Sequence, residues 1–190
     1  MKKIVVIGDS IAAGMYQGAV SSILDDFITD ELTGMGFPGY EVINLGRPKE
    51  GSPEVAARIE EAVAADADFV VINVGINDAL NRPEQVATYK ATMEAMVKKF
   101  DPEKVILMGL GVVDREKKPA ADPAVLQLFN ENLKAIALAT GAKFIDMYHH
   151  EMVYPAPLEF ISEDGLHPSK FGYHLYGGLI ARDIKNKLIG

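Results

Sequence analysis

The chain has 190 residues, of which 48% are apolar and 24% charged, and it carries a formal net charge of −8. That length suits one domain spanning residues 1–190, which buries roughly 70% of the unfolded surface and needs no covalent staple. The absence of cysteine excludes disulfides, a thiol nucleophile and zinc–thiolate sites, and the acidic balance speaks against nucleic acid as a partner.

Lys3–Ile7 is a short β-branched apolar run. It ends at Gly8-Asp9, too early for the hydrophobic region of an export signal, and no stretch approaches the ~18 apolar residues of a membrane span. The expectation is a cytoplasmic protein with no membrane span; oligomeric state leaves no trace in the pattern. Val20, Ile23, Leu24, Phe27, Ile28 and Leu32 then recur at the spacing of one buried helix face. A second run, Glu41–Leu45, leads to Ser52-Pro53, which reads as an N-cap followed by proline at the first helical position, with Val55, Ile59 and Val63 turned inward. Phe69–Val74 is the third run, and Val86, Met93, Met96, Val97 and Phe100 predict the next helix. Val105–Leu110 is the fourth run; Asp122-Pro123 opens a helix that Gly141 stops. Lys143–Met147 is the fifth, and a last helix runs from about Pro168 to Leu188.

The runs are continuous rather than alternating, as strands buried on both faces of a parallel sheet require. Five strands alternating with helices imply a three-layer α/β/α sandwich around a five-stranded parallel sheet. The long stretch Tyr148–His167 reads as irregular and hence as a functional loop. Its Tyr148, Met152, Tyr154, Pro155, Pro157, Leu158 and Phe160 either line an acyl pocket or a lid, or simply pack the loop down.

In open parallel sheets ligands bind beyond the carboxyl ends of the strands. The segments there are Gly8-Asp9-Ser10, Gly46-Arg47-Pro48-Lys49-Glu50-Gly51 and Gly75-Ile76-Asn77-Asp78, with Asp164-Gly165-Leu166-His167-Pro168 before the last helix. Together they supply what acyl transfer needs. A serine hydroxyl, here Ser10, requires a base such as the His167 imidazole. The imidazole requires a carboxylate, Asp164, to fix its tautomer. Pro168 at the start of the last helix would put His167 at its rim. Backbone N–H groups and the Asn77 amide are candidate donors to the negative oxygen of the intermediate. Asp78 reads as structural, holding the Asn77 loop.

These motifs, in this order, resemble the blocks of the SGNH/GDSL hydrolases over essentially the whole chain. Gly8-Asp9-Ser10-Ile11 resembles the nucleophile block, Gly75-Ile76-Asn77-Asp78 the block whose Asn donates to the oxyanion, and Asp164-Gly165-Leu166-His167-Pro168 the block of acid and base. The resemblance implies a flavodoxin-like SGNH hydrolase fold and esterase or lipase/acylhydrolase activity on a small acyl ester, with no cofactor. Acyl-CoA thioesters and acetylated carbohydrates are alternative substrates on the same machinery. The second block departs from the family's Asn-x-Gly-x-x-Gly-Asp. After Asn44-Leu45-Gly46 it has Lys49 where the glycine donor stands, and Gly51 two residues later, so either Lys49 or Gly51 supplies the second backbone N–H.

A different class of reading takes Gly8-Asp9-Ser10 and Gly14 as a phosphate cradle in a flavodoxin-like nucleotide-binding module. It leaves Asn77, Asp164 and His167 without a role. His149 and His150 beside Glu151 invite a metal reading, but adjacent loop histidines are more often solvated and no metal is expected. His174, on the last helix, reads as surface or packing.

Overall fold

The computed structural model describes residues 1–190. In chain order, β1 (Lys2–Gly8) is followed by a small hairpin of β2 (Met15–Tyr16) and β3 (Ala19–Val20), then α1 (Ile23–Gly34), β4 (Tyr40–Gly46), α2 (Ser52–Ala57), α3 (Ile59–Ala64) and β5 (Phe69–Asn73). The second half comprises α4 (Ile76–Asn81), α5 (Val86–Val97), β6 (Val105–Met108), α6 (Pro123–Thr140), β7 (Lys143–Ile145), α7 (Met147–Met152) and α8 (Lys170–Ile189). Five strands form one parallel sheet in the order β4-β1-β5-β6-β7. Helices cover both faces, with α1 packed on α8, and α5 packed between α2 and α6. This is the expected α/β/α sandwich with flavodoxin-like strand order, whose direction of winding reverses between β1 and β5.

The continuous apolar runs lie inside the sheet. Ile4–Ile7 of β1, Phe69–Ile72 of β5 and the whole of β6 are buried. Registers matter more for the site. Gly8 pairs with Gly46 of β4 and with Asn73 of β5, so three neighbouring strands end level and discharge their loops side by side.

Several local expectations are corrected. Val20 is not on the first helix; it lies in the hairpin, 56% exposed, while Leu24, Ile28 and Leu32 form the buried face. The strands from β5 onward stop one or two residues short of the apolar runs, because Val74, Leu110 and Met147 pack into the core from loops and α7 instead. Ser52 is not the N-cap: Gly51 holds that place, Glu54 accepts its N–H, and Ser52 turns inward. The helix beyond it is broken at Arg58 (φ −120°, ψ 16°). The last helix begins at Lys170 and is capped by the Ser169 hydroxyl, which accepts the Gly172 N–H at 3.1 Å, so Pro168 lies outside it. Tyr148–His167 is not structureless either; it holds most of α7 and a 3₁₀ turn at Pro157–Phe160. Phe160 and Phe171 stack there, parallel at 5.0 Å, with Tyr154 tilted against both, so this part of the aromatic run packs the segment onto the last helix, while Met152 and Leu158 stay about half exposed.

Glu151 lies on α7 and, far from being solvated, is 1% exposed. Its Oε1 accepts the Val112 N–H at 3.1 Å and fastens the loop after β6. Burial pushes its carboxyl from 4.5 to about 8, against the smaller opposing effect of that hydrogen bond. The native state therefore holds a proton that the unfolded chain releases. The resulting stability is complete below the unfolded value and is lost as pH rises through about 8. Glu151→Gln keeps the acceptor and removes the ionisation. Its Tm is expected to match the wild type at about pH 5 and to exceed it at about pH 9; the same difference at both pH values would contradict this account.

Candidate active site

Ser10 lies two residues beyond the end of β1. The chain can turn so early because Gly8 and Gly46 have no side chains. A Cβ on Gly8 would lie 1.9 Å from the Asn73 carbonyl oxygen, and one on Gly46 would lie 2.3 Å from the Ala13 nitrogen. The Asp9 carboxylate shapes the turn by accepting the Ile11 N–H at 2.9 Å and the Ala12 N–H at 3.4 Å. Asp9 is 1% exposed, and desolvation raises its carboxyl to about 7 despite these two donors; the nearby Asp78 charge adds to the rise. Asn44 ties the turn to β4, donating to the Ala12 carbonyl at 2.8 Å while accepting the Gly46 N–H at 2.8 Å.

The Ser10 Oγ lies 3.0 Å from His167 Nε2. His167 Nδ1 in turn lies 2.5 Å from Asp164 Oδ2. The spacing of three has a local cause. Asp164 Oδ1 accepts the N–H groups of Leu166 and His167, both at 2.9 Å, and so closes the turn, leaving Oδ2 for the imidazole. Partial burial alone would raise the Asp164 carboxyl; the bonds from the His167 ring and from these two N–H groups outweigh it and hold the group below its ordinary value. The turn is fastened to the loop after β6, where Asp114 N–H donates to the Gly165 carbonyl at 2.9 Å.

Asn77 stands at the start of α4 with its Nδ2 donating to the Glu50 carbonyl at 2.9 Å; the second hydrogen of that amide engages no protein group. Asp78 is buried, yet it holds the second loop rather than the Asn77 loop. It accepts the Ser52 N–H at 2.9 Å and the Ser52 hydroxyl at 2.7 Å. The two candidate backbone donors now differ. The Gly51 N–H is taken by Glu54 Oε2 at 3.0 Å. Lys49 has φ +70°, the left-handed conformation that glycine adopts without cost, and neither its N–H nor that of Ser10 has a partner within the protein.

Beside His167 and Asp164 lies a cleft of about 480 Å³, closed on its other side by the β2–β3 hairpin through Tyr16, Gln17 and Gly18, with Ser162 and Glu163 also at its wall. Sequence reasoning missed the hairpin, since two-residue strands have no readable period. It also missed the inward turn of Arg58. Its guanidinium contacts Glu50 at 2.7 Å and the Gly8 carbonyl at 3.1 Å, and its only signal was an arginine on an otherwise apolar helix face. His149 and His150 meet edge-on at 5.9 Å on α7. His174 stacks on Phe27 at 4.6 Å and bonds Glu31 on the outer face, a packing role.

The model of the GDSL-like lipase/acylhydrolase family matches residues 6–175. The chain belongs to that family. Its reaction class is therefore ester hydrolysis. Among solved structures, a lipase/acylhydrolase from Enterococcus faecalis is 36% identical, superposes with a TM-score of 0.93 and is covered over 97% of its length by 98% of this chain. A catalytic mutant of an acetylxylan esterase from Geobacillus stearothermophilus, a serine-to-alanine variant, is 25% identical with a TM-score of 0.74, over 98% of this chain and 93% of its own. TesA, 22% identical with a TM-score of 0.75 over 98% of each chain, shares the fold. No curated protein sequence matches the chain.

A lysine at φ +70° carries backbone strain of ~1–2 kcal/mol, partly offset because glycine loses more entropy on folding. Lys49→Gly is therefore expected to leave stability unchanged or raise it by up to ~1 kcal/mol in denaturant unfolding. A clear loss of stability would show that the lysine side chain, not the backbone shape, holds the loop.

Proposed function

We propose that this hydrolase cleaves carboxylic esters through an acyl-enzyme on Ser10. The observation that carries the reading is the unbroken relay from Ser10 Oγ to His167 Nε2 at 3.0 Å and from His167 Nδ1 to Asp164 Oδ2 at 2.5 Å. His167 takes the hydroxyl proton as Ser10 Oγ bonds to the ester carbonyl carbon, and Asp164 stabilises the imidazolium that forms. The developing oxyanion is met by the N–H groups of Ser10 and Lys49 and by the free hydrogen of the Asn77 amide. His167 then gives its proton to the departing alcohol oxygen as the tetrahedral intermediate collapses to the acyl-enzyme. Water, deprotonated by the same imidazole, releases the acid and restores Ser10. Gly51, the other candidate donor, is left to its capping bond with Glu54.

A small acyl group on a polar alcohol fits best. Only three of the ten residues lining the cleft beside His167 and Asp164 are hydrophobic, and its wall carries polar and apolar surface in similar amounts, so it offers hydrogen-bonding groups next to a short apolar patch. The same observation favours acetylated carbohydrate as a second reading, in keeping with the similarity to an acetylxylan esterase in which a serine-to-alanine change makes a catalytic mutant.

Ser10→Ala is expected to lower kcat by at least about 10³-fold on a soluble short-chain ester while Tm and circular dichroism stay native. Near-full activity in that variant would overturn the reading. Asn77→Ala is expected to cost about 10²–10³-fold in kcat. Rates on esters of graded acyl length, with acetylated xylo-oligosaccharides in the same panel, should fall as the acyl chain lengthens; a maximum at long chains would reject the small-acyl assignment.

A further inference from the structure

The proposed oxyanion donors come from three separate loops, and a donor displaced by a fraction of an ångström loses most of its effect. The link between the second and third loops is already visible, since Asn77 Nδ2 holds the Glu50 carbonyl at 2.9 Å. Besides the Arg47 N–H, which donates to the Gly8 carbonyl, one side chain joins the first and second loops. Arg58 Nε and Nη2 both reach Glu50 Oε2, at 2.8 and 2.7 Å, and Nη2 also donates to the Gly8 carbonyl at 3.1 Å. Glu50 adjoins Lys49, and Gly8 is two residues before Ser10.

Three features set this arginine apart from an ordinary surface ion pair. Its side chain is 8% exposed and that of Glu50 18%, so the contact is largely removed from solvent and from screening by salt. The helix is interrupted at Arg58, although Glu54–Glu61 contains only good or fair helix formers. Its Nη1 is buried without a hydrogen-bond partner, 3.9 Å from Glu61 Oε2. A broken helix and an unsatisfied buried donor both cost stability, and such costs persist where another requirement outweighs them. Gly8 O also accepts the Arg47 N–H at 3.0 Å, so both loops converge on this one carbonyl.

We propose that Arg58 is the positioning residue of the oxyanion hole. Through the Gly8 carbonyl and the Glu50 carboxylate it locks the loop carrying the Ser10 N–H to the loop carrying the Lys49 N–H. It touches neither substrate nor reacting atoms, and the proposal rests on the acyl-enzyme reading above. Its effect belongs to the transition state, where charge appears on the oxygen, and not to substrate binding.

The test compares Arg58→Lys, Arg58→Met and Glu50→Gln in the full chain, with Ser10→Ala alongside, on p-nitrophenyl acetate. Lysine keeps the charge but cannot reproduce the planar fork. For Arg58→Lys, kcat should fall about 10-fold or more with KM within about 3-fold, and for Arg58→Met it should fall toward the ~10²-fold cost of a lost donor. Glu50→Gln should show the same split, and adding it to Arg58→Lys should cost little more. If the role is merely structural, Tm falls while kcat per folded molecule stays at the wild-type value, and that overturns the proposal. Should Arg58→Met fail to fold, Arg58→Lys and Glu50→Gln decide the matter by the same split. Activity surviving in Ser10→Ala would sink the acyl-enzyme reading itself; loss there with normal kcat in the Arg58 variants would sink only this inference.

Discussion

The carboxyl edge of the sheet depends on how closely β1 and β5 approach at Gly8. A single methyl group there would lie 1.9 Å from the Asn73 carbonyl oxygen, far inside contact distance. With no side chain in the way, the chain leaves β1 against β5, and the Asp9 N–H can donate to that carbonyl at 3.1 Å. The turn holding Ser10 is thereby pinned at the point where the winding of the sheet reverses, the one place where neighbouring loops part in opposite directions and leave a crevice. Gly46 repeats the condition on the other side of β1. The three level strand ends then bring Ser10, Lys49 and Asn77 to one edge without any long excursion of the chain.

Electrostatics at this edge are unusually demanding. Asp9 and Asp78 are both buried, and the Asp78 charge adds to the cost of ionising Asp9. Backbone N–H groups compensate Asp9, while the N–H and hydroxyl of Ser52 compensate Asp78, with Arg82 at 3.4 Å. Asp164 differs. Its carboxylate is about half exposed, takes three hydrogen bonds and keeps its charge, which is what an orienting partner for an imidazole must do. Buried acids here shape loops, and the exposed one faces the His167 ring.

The sheet was legible because short continuous apolar runs, separated by helical periods, suit strands covered on both faces and little else. The meeting of Ser10 with His167, and of His167 with Asp164, was legible because each sits on a short segment whose local bonds are made within a few residues. What escaped was set by partners distant in sequence. Glu151 reads as one more polar residue after two histidines, and only the Val112 N–H, 39 positions away, explains its burial. Nothing in the residues around Arg58 announces a helix break, since the bonds that favour it end on Gly8 and Glu50. Lysine is a poor guide to a left-handed backbone, so the difference between Lys49, whose N–H has no protein partner, and Gly51, whose N–H goes to Glu54, could not be read from the sequence. Ser52 failed as a cap for a similar reason: its hydroxyl goes to Asp78, 26 residues on.

The central claim is that one serine, held by this edge, forms a covalent bond to the substrate's acyl group. A fluorophosphonate ester tests it directly, because the reagent bonds only to a nucleophile that is activated and faces oxyanion donors. Intact-mass analysis and peptide mapping after exposure of the native protein should give one adduct, on the peptide carrying Ser10, with heat-denatured protein unlabelled. An adduct on another residue, or a native protein that stays unlabelled while it hydrolyses esters, would contradict the account.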